Sequence, residues 1–162
     1  MPGRSKVNKL LNPDYRDILS IFCDERVEYL LVGAFALAAH GHPRATGDID
    51  LWVRPDAENA RRVVRALSRF GTPLTEVDEG DFAELNIVFQ IGVAPRRIDI
   101  LTALSGIKKF GAAWKERMDV EIEGIPVPVL GRRHLIQNKR ATGRPQDLAD
   151  VAWLESDNNR SE

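Results

Sequence analysis

Short runs of strand-forming residues alternate with helical segments along most of this chain. The run Tyr29–Val32 is continuous and apolar and stops at Gly33, which is typical of a buried strand. The alanine-rich segment 34–40 favours a helix that ends at Gly41. In segment 48–53 polar and apolar residues then alternate, as they do in a half-buried strand. This interleaving predicts an α/β fold in which helices flank a sheet.

Several further segments carry the same signals. A hairpin is expected where the strand-like segments 86–91 and 96–101 flank a turn at 92–95. Because a hairpin pairs its strands antiparallel, the sheet should be mixed rather than purely parallel. The remaining predicted elements are a helix from Asn12 and Pro13 onward, a helix over 55–70 ended by Gly71, a helix at 108–117, short strands at 120–122 and 127–130, and two closing helices at 132–141 and 145–154.

The composition is that of an ordinary globular protein. The 162 residues suffice for one domain, 1–162, and 43% of them are hydrophobic. A formal net charge of −1 argues against a uniformly basic nucleic-acid-binding protein. The lone cysteine, Cys23, cannot form an internal disulfide, which fits a reducing compartment. We expect a cytoplasmic protein without a membrane span, poorly ordered at its ends, about 1–9 and 155–162.

The segment Asp48-Ile49-Asp50 is the first candidate site. Residues two apart in a strand point to the same face, so the two carboxylates should stand side by side. Their repulsion favours a bound cation. Mg²⁺ suits the position because it takes carboxylate oxygens and shares its shell with phosphates and water. The alternative is an exposed edge strand with two solvated aspartates.

A third carboxylate, Asp99, lies between Ile98 and Ile100 in a strand-like segment. A buried aspartate is costly unless it is ion-paired or bound to a metal. The sequence leaves two explanations open. One is convergence with the carboxylates of 48–50 on a metal, and the other is an ion pair with Arg97, which shares the strand face of Asp99.

A further candidate is the glycine between a predicted strand and helix at position 33, where free backbone N–H groups suit a phosphate. This junction and the aspartate strands together resemble the nucleotidyltransferase superfamily with the polymerase-β-like fold. The carboxyl-terminal segment resembles a branch that contains abortive-infection and toxin–antitoxin nucleotidyltransferases. The segments that carry the resemblance are Val32-Gly33-Ala34, 44–51 (Arg-Ala-Thr-Gly-Asp-Ile-Asp-Leu), Ile98-Asp99-Ile100 and 139–150, with Lys139, Gly143-Arg144 and Asp147-Leu148-Ala149-Asp150.

The resemblance implies an enzyme that moves a nucleoside monophosphate from an NTP to an acceptor hydroxyl. It implies that Asp48, Asp50 and Asp99 are catalytic and hold two Mg²⁺ ions. It leaves the acceptor open among RNA, protein and small molecules, and it implies a toxin–antitoxin or defence role with an antitoxin as partner. The nucleotide-binding residues that it implies are Gly33, Ala34, Arg44, Thr46, Lys139, Arg144 and Asp147.

One position departs from the family pattern. Ala34 stands where the pattern has Gly or Ser, so only backbone N–H groups remain there as phosphate donors. The alternative function is therefore a catalytically degenerate module that binds nucleotide or a protein partner. Asp147 also has a structural alternative, because an acidic residue in the first turn of a helix complements the helix dipole. Arg132 and Arg133 are candidate contacts to a polyanion.

Overall fold

The structure, a computed structural model, describes residues 5–7, 11–43 and 47–160. Its strands are β1 (Ser5–Val7), β2 (Tyr29–Val32), β3 (Ile49–Val53), β4 (Val88–Ile91), β5 (Ile98–Leu101), β6 (Met118–Ile122) and β7 (Ile125–Val129). Its helices are α1 (Pro13–Asp24), α2 (Gly33–Ala39), α3 (Ala57–Phe70), α4 (Glu79–Ala83), α5 (Phe110–Lys115), α6 (Arg132–Thr142) and α7 (Pro145–Arg160).

The strands form one seven-stranded sheet in the order β1-β6-β7-β2-β3-β5-β4. The expected hairpin is present, because β4 and β5 pair antiparallel. β2 and β3 also pair antiparallel, whereas β3 pairs parallel with β5 and β2 parallel with β7. The sheet is therefore mixed and flanked by helices, with two helices closing the chain, which confirms the predicted fold class.

Three features differ from the sequence prediction. β1 lies inside the segment 1–9, where no element is predicted, and it is held by parallel pairing with β6. α7 continues to Arg160, six residues beyond its predicted end at 154. α4 is new and is only five residues long, so its apolar pattern is too short to recognise; a capping box of Asp78 and Asp81 fixes its start. Among the described residues, no helix is long and apolar enough to cross a membrane.

Local capping explains where the long helices start and stop. At the start of α1, the side chain of Asn12 accepts a hydrogen bond from the backbone N–H of Tyr15. Pro13 suits the first helical position because it has no backbone N–H that would need a partner there. Asp56 caps α3 in the same way. α3 ends at Gly71, whose left-handed φ of 94° a glycine adopts without strain.

The two faces of the sheet have different roles. Ile49 and Leu51 point to one face and are fully buried. That face is covered by α1, whose Phe22 packs edge-on against Tyr29 with ring centroids 5.2 Å apart. The opposite face carries Asp50 and Trp52, and α5 covers Trp52 there. The candidate site therefore lies on the α5 face, at the edge where β2 ends and β3 begins.

Candidate active site

The candidate site is built on two neighbouring strands. Because β3 and β5 pair in register, Asp50 lies directly opposite Asp99 and both side chains project from the same face. Asp99 is buried, with 7% of its surface exposed, and Asp50 is half-buried. The structure therefore brings together two of the three carboxylates predicted to be catalytic.

Arg97 connects the third carboxylate to this pair. Its backbone N–H donates to Asp48 Oδ1 at 3.1 Å, and its Nη2 lies 3.4 Å from Asp48 Oδ2. The same guanidinium donates from Nε to Asp99 Oδ1 at 2.8 Å and from Nη2 to Asp99 Oδ2 at 3.2 Å. Asp48 and Asp99 thus share one internal cation. The ion pair of Arg97 with Asp99, one of the two explanations left open by the sequence, is formed.

The position of Asp48 differs from the prediction. It precedes β3, which begins at Ile49, so strand alternation with Asp50 does not set its direction. The backbone holds it instead. Gly47 lies so close to the hairpin turn that a Cβ there would stand 1.5 Å from the carbonyl oxygen of Pro95. This tight packing brings Asp48 to the backbone N–H of Arg97.

The electrostatics of the pair favour a shared proton. Burial raises the pKa of Asp50 to about 7, and the neighbouring charge of Asp99 and the hydrogen bond to it act in the same direction. Asp48 adds to the rise, and Arg97 opposes it. Two carboxyl groups this close cannot both ionise freely unless a cation compensates them. The site is therefore suited to a proton, a guanidinium or a metal ion.

Gly33 is in close contact with this site. It begins α2 with a left-handed φ of 71°, and a Cβ at this position would lie 2.4 Å from Asp50 Oδ2. The backbone of the strand–helix junction can approach the carboxylate only because position 33 has no side chain. Ala34 follows in the first turn of α2. The junction that resembles a phosphate-binding turn thus lies against the aspartates.

Tyr15 is part of the site although the sequence analysis missed it. Its hydroxyl donates to the backbone oxygen of Arg97 at 3.1 Å. Burial and then the charge of Asp48 raise the pKa of Tyr15 to about 12, so the hydroxyl stays protonated and remains a donor. On the apolar stripe of α1, Tyr15 has the pattern of a core residue, and no sequence signal distinguishes its hydroxyl.

A second polar cluster joins the two closing helices. Lys139, on α6, is buried and lies 3.5 Å from Asp147 Oδ1 and 3.1 Å from Asp150 Oδ2, both on α7. Asp147 also accepts from Arg144, with Nε donating at 2.7 Å and Nη2 at 3.1 Å. The hydroxyl of Thr142 donates to the same carboxylate at 2.8 Å. These bonds, that of Arg144 first, hold the pKa of Asp147 well below its usual range.

The remaining predicted residues fall in different places. Arg44 and Thr46 lie outside the described residues. Lys139 and Arg144 both pair with Asp147 in the α6–α7 cluster, as described above. Of the two basic residues opening α6, Arg133 pairs with Glu116, to which its Nε donates at 2.9 Å. This side chain lies on the protein surface.

A cavity of about 490 Å³ lies farther along the carboxylate face. Trp52, two residues after Asp50 on the same strand face, lines it, together with Phe110 and the residues that follow β5. Its rim carries Leu85 and Lys108. A volume of this size is within the range of small-molecule sites.

The carboxylate oxygens are suitable ligands for a hard divalent cation, although they do not form a complete coordination site. Within the described part of the chain, no three His, Cys, Asp or Glu side chains are grouped closely enough to hold a metal as they stand. Asp50 lies directly opposite Asp99, and Arg97 is the counter-ion between Asp99 and Asp48. Oxygen ligands that are buried and mutually repelling are what Mg²⁺ compensates. Movement of Arg97, whose side chain is 31% exposed, would remove the cation that pairs with Asp48 and Asp99.

Comparison with known proteins supports this interpretation at the level of the fold. No protein-family model matches the sequence, and no curated protein matches it significantly. Among solved structures, a candidate nucleotidyltransferase from Thermotoga maritima (TM1012) superposes with a TM-score of 0.60 at 20% identity, over 91% of this chain and 96% of the other. The chain has the nucleotidyltransferase fold.

Two antibiotic-related structures share the nucleotidyltransferase fold with this chain. The antibiotic-resistance factor ANT(2″)-Ia has a TM-score of 0.59 at 16% identity, over 89% of this chain and 82% of the other. The lincosamide antibiotic adenylyltransferase LnuA, solved with lincomycin, has a TM-score of 0.56 at 15% identity, over 92% and 99%. The predicted fold class and the expected nucleotidyltransferase fold are thereby confirmed. The toxin–antitoxin branch stays a prediction.

Proposed function

We propose that this protein is a Mg²⁺-dependent nucleotidyltransferase that moves a nucleoside monophosphate from an NTP to an acceptor hydroxyl. The observation that carries the proposal is the pairing of Asp50 with Asp99 on one face of the sheet, with Asp48 linked to them through Arg97. The nucleotidyltransferase fold supports the same reaction class.

Asp48, Asp50 and Asp99 would hold the metal. When bound, Mg²⁺ neutralises carboxylates and stabilises the charge that develops on a transferring phosphoryl group. Asp50 lies directly opposite Asp99, and the raised pKa of Asp50 supports a site that a bound cation would stabilise. The proposal of two ions rests on the family resemblance.

The chain's own residues divide the remaining work. Asp99 accepts the proton of the acceptor hydroxyl while the oxygen of that hydroxyl forms a bond to the α-phosphorus. The bond from that phosphorus to the bridging oxygen breaks, and pyrophosphate leaves with the electron pair. Arg97, once it leaves Asp99, is a cation within reach of the phosphates. Tyr15 holds the backbone of Arg97 in place.

The nucleotide contacts of the proposal are of two kinds. A Cβ at Gly33 would lie 2.4 Å from Asp50 Oδ2, so the backbone at Gly33 and Ala34 would bind phosphates gathered at the aspartates. Lys139, Arg144 and Asp147 support binding by holding α6 against α7. Arg44 and Thr46 remain candidates through the resemblance alone.

The acceptor is the least determined part of the proposal. The cavity beside Trp52 makes a small hydroxyl compound the first acceptor to test. The likeness to a lincosamide adenylyltransferase also favours testing a small molecule before RNA or protein. An RNA or protein acceptor and a defence role with an antitoxin partner in the cytoplasm rest on the resemblance of 44–51 and 139–150.

The decisive experiment is a label-transfer assay. The protein is incubated with each of the four NTPs labelled at the α-phosphate, with Mg²⁺, and with lincomycin, total tRNA or cell extract as acceptor. We expect one acceptor to gain label and Asp99→Asn to abolish the gain. Asp119→Asn, a change at an exposed aspartate on β6, is the matched control and should retain it. No transfer from any NTP to any of these acceptors would count against catalysis.

The second candidate function is a nucleotide-binding module without catalysis. Two observations favour it: Arg97 already compensates the carboxylates, and Ala34 lacks a hydroxyl. Calorimetric titration with each NTP, with and without Mg²⁺, separates the two functions. Binding without transfer in the assay above selects the module, and transfer selects the enzyme.

A further inference from the structure

The edge of the sheet at β4 is unusual for an exposed strand. β4 is the last strand in the sheet order, and its only strand neighbour among the described residues is β5. Three of the four large hydrophobic side chains most exposed in the described chain lie on it or next to it: Leu85 at 59%, Val88 at 57% and Val93 at 79%. Exposed apolar residues on a free strand edge mark an interaction site.

The segment 85–95, which contains β4 and its exposed apolar neighbours, carries no charged residue. Residues 85–95 contain no Asp, Glu, Lys or Arg, although 29% of the chain is charged. Natural proteins protect free edges with charged residues, especially Lys, or with bulges. An uncharged edge can meet a second copy of itself without the repulsion that like charges would produce across a two-fold axis.

The backbone of β4 is also arranged for self-pairing. The backbone N–H of Thr102 donates to the carbonyl of Ile87 at 3.0 Å, so Ile87 faces β5. Hydrogen-bonding direction alternates along an antiparallel strand, so Phe89 also faces β5. The N–H and C=O groups of Val88 and Gln90 therefore point outward from the sheet.

We propose that two copies of this protein dimerise by antiparallel pairing of their β4 strands, with the two-fold axis at Gln90. In this register each Gln90 exchanges both backbone hydrogen bonds with the other copy's Gln90, and Val88 lies opposite the partner's Gly92. Even-numbered residues of one copy pair with even-numbered residues of the other. The side chains of Val88 and Gln90 therefore stay on the same face of the combined sheet in both copies. The contact closes on itself and stops at two copies.

The dimer would place the two candidate sites on one continuous face. Gln90 lies directly opposite Asp99 on β5. Three interstrand steps then separate the two copies of Asp99, a distance of about 15 Å. This inference does not depend on the transfer reaction, because it rests on the edge strand alone.

Oligomeric state is the first measurement. Sedimentation velocity over a roughly hundredfold concentration range should show the mass rising from 18.2 kDa toward twice that value. Gln90→Lys and Gln90→Glu should each remain monomeric, because each places like charges at the axis. An equimolar mixture of the two should dimerise again, which also shows that both variants are folded. Gln146→Lys, on the exposed surface of α7, should dimerise like the parent.

A cross-link tests the register. In a Cys23→Ser background, Gln90→Cys should form a disulfide dimer under mild oxidation, and Gln146→Cys should not. The proposal is overturned if the parent is monomeric throughout the concentration range. It is equally overturned if Gln90→Lys dimerises like the parent, or if Gln90→Cys cross-links no better than Gln146→Cys.

Discussion

Arg97 contacts Asp48 twice, through its backbone N–H at 3.1 Å and through its guanidinium at 3.4 Å. The first contact is independent of the side chain and holds Asp48 whether or not the guanidinium stays. The second can be exchanged, because the guanidinium is partly exposed and binds Asp99 at the same time. Arg97 therefore fixes the position of one carboxylate with its backbone and compensates two with its side chain. A divalent cation would compete only with the side chain.

Arg97→Gln tests that competition. The change keeps the backbone N–H that holds Asp48 and removes the internal cation. We expect Mn²⁺, used as a spectroscopic substitute for Mg²⁺, to bind several-fold more tightly to the variant. Without metal, the variant should be about 1–3 kcal/mol less stable, because the carboxylates lose their compensation. Arg96→Gln, the exposed neighbour, is the control for both measurements. Unchanged Mn²⁺ affinity in Arg97→Gln would show that the guanidinium does not occupy the metal position.

The raised pKa of Asp50 makes stability depend on pH. Its pKa is about 7 in the folded protein and near 4 in the unfolded chain, so the folded state binds more protons between these values. Stability should therefore fall as pH rises from about 4 to about 7 and level off above. Asp50→Asn removes this dependence and should stabilise the metal-free protein by about 1–3 kcal/mol at pH 8.

Urea unfolding of the parent and of Asp50→Asn at several pH values measures the effect. Addition of Mg²⁺ should stabilise the parent but not the variant, because the metal loses one of its ligands. Asp119→Asn provides the control for a general effect of removing negative charge. Equal stability of parent and Asp50→Asn at every pH would mean that Asp50 is ionised and solvated like a surface residue.

How much of this site the sequence predicts depends on how local each feature is. Asp50 follows from two-residue strand alternation, and Gly33 follows from a strand that ends before a helix; both are local patterns. The pairing of Asp50 with Asp99 needs the parallel alignment of β3 and β5, which are far apart in sequence. The cost of burying Asp99 left their convergence open as one of two explanations, and the family resemblance favoured it. The hydroxyl of Tyr15 bonds to Arg97 across 82 residues and has no local signal.

The α6–α7 cluster shows the same limit. The sequence places Lys139 and Asp147 on consecutive helices, but it does not show that Lys139 is buried between two α7 carboxylates. Burial changes the expected effect of mutation, because a buried cation is costly without its partners. A substitution of Lys139 would therefore disturb the packing of α6 against α7 as well as any contact with phosphate.

Asp147→Asn tests that structural role. The pKa of Asp147 lies far below its usual range, so its charge stabilises the folded state above acidic pH and this contribution is lost as pH falls. The variant should be less stable by about 2–4 kcal/mol at neutral pH, since it leaves Lys139 with a single carboxylate. The deficit should shrink at acidic pH. Asp24→Asn, on the exposed surface of α1, is the matched control, and a deficit independent of pH would contradict the electrostatic cause.

Ala34 departs from the family pattern, which has Gly or Ser at this position. If the junction after Gly33 binds phosphate, Ala34→Ser should add a hydrogen bond to a charged oxygen, worth at most about 1.5–3 kcal/mol. Nucleotide affinity would then rise by roughly ten-fold or more, measured by calorimetry with Mg²⁺. Ala38→Ser, one turn later on the same helix, is the matched control and should leave affinity unchanged.

A contrasting change at the neighbouring position sharpens this test. Gly33→Ala would push a methyl group to 2.4 Å from Asp50 Oδ2 at a φ that side chains rarely adopt, so the carboxylate must move. It should weaken Mn²⁺ and nucleotide binding together, whereas Ala34→Ser should alter nucleotide binding alone. If Gly33→Ala weakens both but Ala34→Ser changes neither, the junction positions Asp50 and the phosphates lie elsewhere. If Ala34→Ser tightens nucleotide without changing Mn²⁺ affinity, the phosphates pass over the start of α2.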